Sequence, residues 1–218
     1  MRVPLLCLAL LALVLLAVSS AVADVNPFTN PSFESGFAGW GVYSGAGGVD
    51  VVTAFTGQTL GYTAPVGSYF LKVQAGDAGD FINASRIVAL QAGDVVSGWA
   101  AFDSREPDGG YNDNAVVYLM NLNTGATWTP WSADVNGVGF QASSPWQHWS
   151  WTAPVATTYE LNLGCANATD DSYPSVGLFD LDLTRQGPDP TVPEPGSLAL
   201  VLMGLGPLGV WIRRKRQN

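Results

Sequence analysis

Hydrophobic and polar positions divide this chain into three regimes. Residues 5–18 and 198–212 are apolar runs without a single charge. Between them the pattern is different. No stretch from 24 to 186 keeps a helical period. Short runs of β-branched and aromatic residues recur instead, separated by Gly, Asn, Asp, Ser and Thr. This is the signature of a sandwich or barrel. Strands are predicted over 49–55, 69–74, 81–90, 95–102, 115–121, 149–153, 159–166 and 176–184. Tyr159, Leu161, Leu163 and Cys165 share one face of their strand, because side chains alternate with a period of two. In the last strand Phe179, Leu181 and Leu183 take one face, and Leu178, Asp180 and Asp182 the other. Some eight strands and no helix predict an all-β fold, a two-sheet jelly-roll β-sandwich.

The two apolar runs have the form of targeting segments. Arg2 precedes the first, and Ala21-Val22-Ala23 follows it. This is a secretory signal peptide with an A-x-A site, cut between Ala23 and Asp24. A lipoprotein signal needs a Cys after the apolar core, whereas Cys7 lies inside it. At the other end, residues 196–212 span roughly 26 Å as a helix at about 1.5 Å per residue. That is the low edge of the ~17–25 residues needed to cross a bilayer. Arg213, Arg214, Lys215 and Arg216 then form a basic cluster that stays on the cytoplasmic side. The order predicts a signal peptide at 1–23, a β-sandwich domain at 24–186, a Pro-rich linker at 187–192 and a sorting segment with a transmembrane helix at 193–218. An ordinary single-pass anchor has the same outline.

Pro193-Glu194-Pro195, the apolar helix and the Arg-rich end, in that order, resemble the PEP-CTERM sorting signal. The resemblance implies recognition by an exosortase-type membrane protease. It also implies a passing membrane contact through the C-terminal helix. The expected destination is the cell surface, outer envelope or extracellular matrix of a Gram-negative-type bacterium, beside extracellular polysaccharide.

Charge narrows the partners. Of 9 basic residues, five lie in the two terminal segments, so the 24–192 region holds four against 17 acidic ones, a net charge of −13. Such a surface lacks the basic footprint that nucleic acid requires. It suits divalent cations and neutral glycans, and also simple solubility outside the cell. After signal cleavage only Cys165 remains. An intramolecular disulfide is excluded, and a packed thiol is expected on its strand.

The segment Asn30-Pro31-Ser32-Phe33-Glu34-Ser35-Gly36-Phe37-Ala38-Gly39-Trp40 resembles the opening of galactose-binding-like jelly rolls, among them many carbohydrate-binding modules. Gly67-Ser68-Tyr69-Phe70-Leu71-Lys72-Val73, Leu90-Gln91-Ala92-Gly93-Asp94, Trp146-Gln147 and Phe179-Asp180-Leu181-Asp182-Leu183 extend the match. Many members carry two adjacent acids at the end, whereas Leu181 separates Asp180 from Asp182 here. The resemblance implies a structural Ca²⁺ held by Glu34 and Asp180, with carbonyls completing a six- to eight-oxygen shell. The plainer alternative has Glu34 capping a turn and Asp180 facing solvent.

Two further clusters carry chemistry. Asp103, Asp108, Asn112, Asp113 and Asn114, together with the stretch 167–171, supply oxygen ligands without the spacing of an EF-hand. Solvated turns explain the same residues. Trp128 and Trp131 are candidate stacking platforms for sugar rings, or else core residues; Trp149 and Trp151 are expected in the core. No G-x-S-x-G, zinc motif, P-loop or dinucleotide fingerprint occurs, and the only His is His148. The sequence therefore reads as a secreted, non-catalytic envelope or biofilm-matrix protein with a glycan-binding capacity. The alternative is a glycan-active enzyme or its carbohydrate-binding accessory module.

Overall fold

The computed structural model describes residues 28–182. They belong to one compact unit, Asn26–Gln186. The signal peptide with Ala21, Ala23 and Asp24, and the sorting segment with Pro193, Glu194, Pro195 and Arg213 to Arg216, lie outside the described residues. Among those described, no helix is long and apolar enough to cross a membrane.

Twelve strands follow one another: β1 Gly41–Tyr43, β2 Gly48–Val52, β3 Ala54–Thr56, β4 Gly61–Thr63, β5 Phe70–Gln74, β6 Phe81–Leu90, β7 Val95–Asp103, β8 Asn114–Asn121, β9 Thr127–Asp134, β10 Gln147–Thr152, β11 Thr157–Ala166 and β12 Val176–Leu181. One sheet has the order β1-β6-β11-β8-β9, the other β10-β7-β12-β5-β2, and β3 with β4 form a separate hairpin. Every pairing between these strands is antiparallel. From β5 to β12 the chain passes repeatedly between the two sheets, which is the jelly-roll path.

The inner faces of the two sheets form the main core. Tyr159, Leu161, Leu163 and Cys165 point inward from β11, as their alternation predicts, and Phe179 and Leu181 meet them from β12. Each of these six is fully buried. Cys165 is a free buried thiol whose burial pushes its pKa up.

A second, smaller core lies on the outer face of the β10-β7-β12-β5-β2 sheet. Phe70, Ala101, Val176 and Leu178 are covered there by Tyr62, Phe55 and Trp146. Trp146 meets Tyr62 and Phe70 edge-on at 5.7 and 5.5 Å. Tyr62 also donates from its hydroxyl to the Ser144 carbonyl at 2.6 Å. Every residue of β12 is buried as a result. The alternation of Leu178 and Asp180 against Phe179 and Leu181 holds, but neither side meets water.

Three elements differ from the sequence expectation. The 49–55 run breaks into β2 and β3, which serve different sheets. Strand β9 was concealed by Pro130, which has no amide hydrogen and reads as a loop residue. It is tolerated because β9 is an edge strand. A four-residue helix, α1 (Val135–Val138), follows β9, with Asp134 as N-cap accepting from Gly137 N at 2.8 Å.

The opening motif 30–40 is a loop wrapped around Asn30. The Asn30 side chain donates to Gly36 O at 2.8 Å and accepts from Ser35 N at 2.7 Å, while Trp40 Nε1 donates to Asn30 O at 3.2 Å. Asn30 has φ 61°, a left-handed conformation that Asn tolerates. Phe33 is buried against the Trp40 ring at 5.0 Å.

Phe179 lies at the centre of the main core, so truncating it leaves a cavity that the flanking strands cannot close. Phe179→Ala should lower stability by about 3–5 kcal/mol, as measured by urea denaturation followed through tryptophan fluorescence.

Candidate functional site

The two sheets are unequal on the outside. One outer face carries the second core. Among the described residues, the outer face of the β1-β6-β11-β8-β9 sheet carries no such cover. Its registers set side chains in rows across the strands. Tyr43, Asn83, Gly164, Val116 and Ser132 form one row, and Gly41, Ser85, Asn162 and Tyr118 the next. Ile87, Glu160, Met120 and Thr127 lie beyond them.

Phe81 and Tyr118 supply the aromatic centre of this face, with ring centroids 5.8 Å apart. The Phe81 ring lies over Gly164, where a Cβ would overlap it. Glycine at 164 is therefore what lets an aromatic ring rest flat on the sheet. Asn83 donates to Phe81 O at 3.2 Å. Asn162 is 3 % exposed and its Nδ2 has no partner. Tyr43 and Ile87 are exposed. Burial, and secondarily the charge of Glu160, raise the Tyr118 pKa. A cleft of about 460 Å³ continues the face at its β8–β9 edge, lined by Asn114, Val116, Ser132, Asp134 and Gln147 among others.

Trp128 and Trp131 do not belong to this surface. Trp131 is 7 % exposed, stands edge-on to Phe179 at 6.0 Å and donates from Nε1 to Gln147 at 2.7 Å. Trp128 is half-buried and packs on Trp151 and Tyr159 at 5.4 and 6.0 Å. A register shift in the β8–β9 pairing, between Val117 and Leu119, turns both rings toward the core. Trp131 is thus a core residue, and Trp128 packs against the core with part of its surface open. Trp149 is buried and Trp151 packs on the main core. His148 is exposed and lies 4.9 Å from the Trp99 ring.

The face residues Phe81, Tyr118 and Asn162 were not singled out from the sequence. A signal existed. Once Tyr159, Leu161, Leu163 and Cys165 are assigned inward, Glu160 and Asn162 must face outward. Which outer face stays open is not written in any strand's own alternation.

Glu34 and Asp180 are brought together by the backbone of 66–69. Glu34 Oε1 accepts from Ser68 N at 2.7 Å and Tyr69 N at 3.0 Å, and Asp180 Oδ2 accepts from Val66 N at 2.8 Å. Gly67 has φ +69°, and a Cβ there would overlap the Glu34 carboxylate. Asp180 is fully buried and its Oδ1 has no partner. Burial pushes its pKa up to about 7 against the opposing pull of the Val66 and Leu181 amides, and the charge of Glu34 adds to the rise. An orphaned carboxylate oxygen beside a second carboxylate fits the donor set of a hard cation.

The acids of the 103–114 loop have separate duties. Asp103 Oδ1 accepts from Gln58 N at 2.7 Å and from Ser143 Oγ at 2.6 Å, which fastens the β3–β4 turn. Asp113 accepts from Ala168 N and Ser175 N, both at 3.1 Å. Asp108 caps Gly110 N at 3.0 Å, and Asn112 donates to Asp134 at 3.3 Å. Asn114 lines the cleft. Glu106 is fully buried with both carboxylate oxygens unpartnered. Burial first, then the charges of Asp113, Asp170 and Asp108, push its pKa up to about 7. Among the described residues, no three His, Cys, Asp or Glu side chains form a ready-made metal cluster.

The described part of the molecule is thus a two-sheet jelly-roll domain with one covered and one open face. The PEP-CTERM protein-sorting motif matches residues 191–217. The chain carries an exosortase sorting signal, which implies export and sorting to the surface of a Gram-negative-type cell. No curated protein matches the chain. Among solved structures, it is similar to TmCBM61 in complex with β-1,4-galactotriose, at 20 % identity and a TM-score of 0.44, over 74 % of this chain and 99 % of that one. The C-terminal family 22 carbohydrate-binding module of Clostridium thermocellum Xyn10B matches at 20 % identity and a TM-score of 0.41, over 73 % and 94 %. The K3 adhesin domain of Lys-gingipain from Porphyromonas gingivalis matches at 14 % identity and a TM-score of 0.44, over 71 % and 96 %.

Glu106 and Asp180 set the sign of the pH response. Both carboxyls hold their protons in the folded state up to about pH 7, against ordinary values of 4.5 and 3.8. Between those limits the folded state binds more protons than the unfolded state, so stability falls as pH rises through the window. Chelator-treated protein should therefore melt higher at pH 5.5 than at pH 7.5, as measured by scanning calorimetry.

Proposed function

We propose that the protein is a non-catalytic glycan-binding component of the envelope or extracellular matrix. The ligand lies across the open face of the β1-β6-β11-β8-β9 sheet. The observation that carries this reading is the pairing of Phe81 and Tyr118 on one sheet face, ring centroids 5.8 Å apart and tilted at 45°, with the half-buried Asn83 in the same face. Apolar faces of pyranose rings stack on aromatic rings, while hydroxyls take up amide donors and acceptors.

The favoured class is a neutral, extended polysaccharide. The rows of the open face contain no Lys or Arg, and Glu160 adds a negative charge. An acidic glycan would meet repulsion without a counter-charge. Hydrolysis of a glycosidic bond needs two carboxyls within about 5–9.5 Å of each other. Glu160 and Asp134 are the acids of this face, and they lie three rows apart, about 20 Å at about 3.3 Å per residue. This separation supports binding without catalysis.

Affinity electrophoresis through gels containing neutral galactans, xylans and β-glucans tests the reading. At least one should retard the protein, and Tyr118→Ala should weaken retention at least about tenfold, equivalent to about 1.4 kcal/mol. Unchanged mobility in every gel, or full retention by the variant, would overturn it.

The same reading includes a structural Ca²⁺ at Glu34 and Asp180, tying the opening loop to the last strand. Restoring calcium to chelated protein should raise the melting temperature by about 5–10 °C at a hundredfold excess over Kd. Asp180→Asn should remove most of the rise contributed by this site. A rise undiminished in that variant would count against these two ligands.

A further inference from the structure

The 104–113 loop and the loop between β11 and β12 are stitched together at one end of the sandwich. Asp113 receives Ala168 N and Ser175 N, and Arg105 N donates to Ser175 Oγ at 3.3 Å. Asn167 Nδ2 donates to Ser172 O at 3.4 Å. Within this junction Glu106, Asp113, Asn167 and Ser175 are all fully buried.

Two acceptor groups in it lack the donors their burial demands, beside a Ser104 hydroxyl and an Arg105 Nε that are also without hydrogen-bond partners. Both oxygens of Glu106 are without a donor, and so is Oδ1 of Asn167. Burying a carboxylate without a counter-charge costs several kcal/mol. The nearest cation in sequence, Arg105, is directed elsewhere: it stands 3.6 Å from Asp103 and 5.9 Å from the Phe55 ring centroid. The charges that act on Glu106 are those of Asp113, Asp170 and Asp108, all of the same sign. Two orphaned acceptors in an acidic junction lack one thing, a cation.

We propose that Glu106 and the Asn167 side-chain oxygen, joined by Asp108 and Asp170, bind a divalent cation of the calcium type that clips these two loops together. The donor set is oxygen only, with one carboxylate placed to bind through both oxygens and one amide carbonyl. That suits Ca²⁺, which accepts carboxylates, amide oxygens and carbonyls in an adaptable shell. It does not suit zinc or copper, which favour imidazole and thiolate. The site is completed on binding. Asp108 and Asp170 each hold one oxygen, Oδ1, in a turn hydrogen bond, to Gly110 N and Ser172 N. Their second oxygens are the ones left to complete the shell. Asn112 and Asp113 connect this junction to β9 and α1, through the Asn112–Asp134 bond and the Val135 N–Asp113 O bond at 3.1 Å. A bound ion therefore also steadies the end of the open face where the cleft lies. The inference stands apart from the Glu34–Asp180 site, which uses different residues at a different place.

Isothermal titration of the chelated full chain with CaCl₂ provides the test. Glu106→Gln keeps the shape of the side chain and removes its charge. It should abolish one class of calcium site, and Asp170→Asn should weaken that same class at least about tenfold. Asp180→Asn should leave it intact. If Asp180→Asn changes nothing while Glu106→Gln removes the only site, the Glu34–Asp180 reading fails and this one stands. If Glu106→Gln binds calcium with the stoichiometry and affinity of the parent chain, or does not fold while Asp170→Asn binds like the parent, this proposal is overturned. In that case Glu106 is simply a buried, protonated acid.

Discussion

The structure depends on the burial of β12 from both sides. This strand sits in the middle of its sheet, between β7 and β5. Phe179 and Leu181 fill the inner core, and Val176 and Leu178 fill the outer one. An antiparallel sheet normally shows one face to water. Here the β3–β4 hairpin and Trp146 remove that face from solvent, so the open face must belong to the other sheet. The division between a covered sheet and an open one follows from where one hairpin lands.

Buried carboxylates are the second constraint. The region between the two terminal segments carries 17 acidic residues against four basic ones, so most buried acids cannot be neutralised by Lys or Arg. Asp113 solves this with hydrogen bonds from amides 55 and 62 residues away, and Asp103 with an amide and a hydroxyl on Oδ1 and Arg105 at 3.6 Å from Oδ2. They fasten loops that have little apolar surface of their own. Asp180 and Glu106 retain oxygens with no such donor. The hydrogen-bonded staples act at loops, where a sandwich is easiest to open.

How much was readable in the chain depended on whether local alternation carried the information. Strands β6, β7, β8 and β11 were evident within one or two residues, because each is a long run of β-branched, aromatic and small apolar residues between turn residues, with β11 also alternating in and out. Strand β9 was hidden by Pro130, since its edge position is a tertiary fact. The jelly-roll opening, Asn30 to Trp40, was recognisable because a loop turned by Asn30, Gly36 and Gly39 needs those residue types at those places. Trp128 and Trp131 were left between a surface and a core role, because an aromatic residue between Thr residues has no side until its strand has a register.

The sequence by itself determined the C-terminal sorting motif, the all-β class and the inward faces of the long strands. Each of these rests on composition or on a period that every strand carries within itself. The tertiary structure alone decided which sheet is covered, which rings meet on the open face, and which buried acids are satisfied. Those outcomes depend on register and on loops brought together from distant parts of the chain. Asn162 shows the difference. Its strand alternation placed it opposite Leu161 and Leu163, but only the pairing of β11 with β6 and β8 put it beside Ser85 and Tyr118.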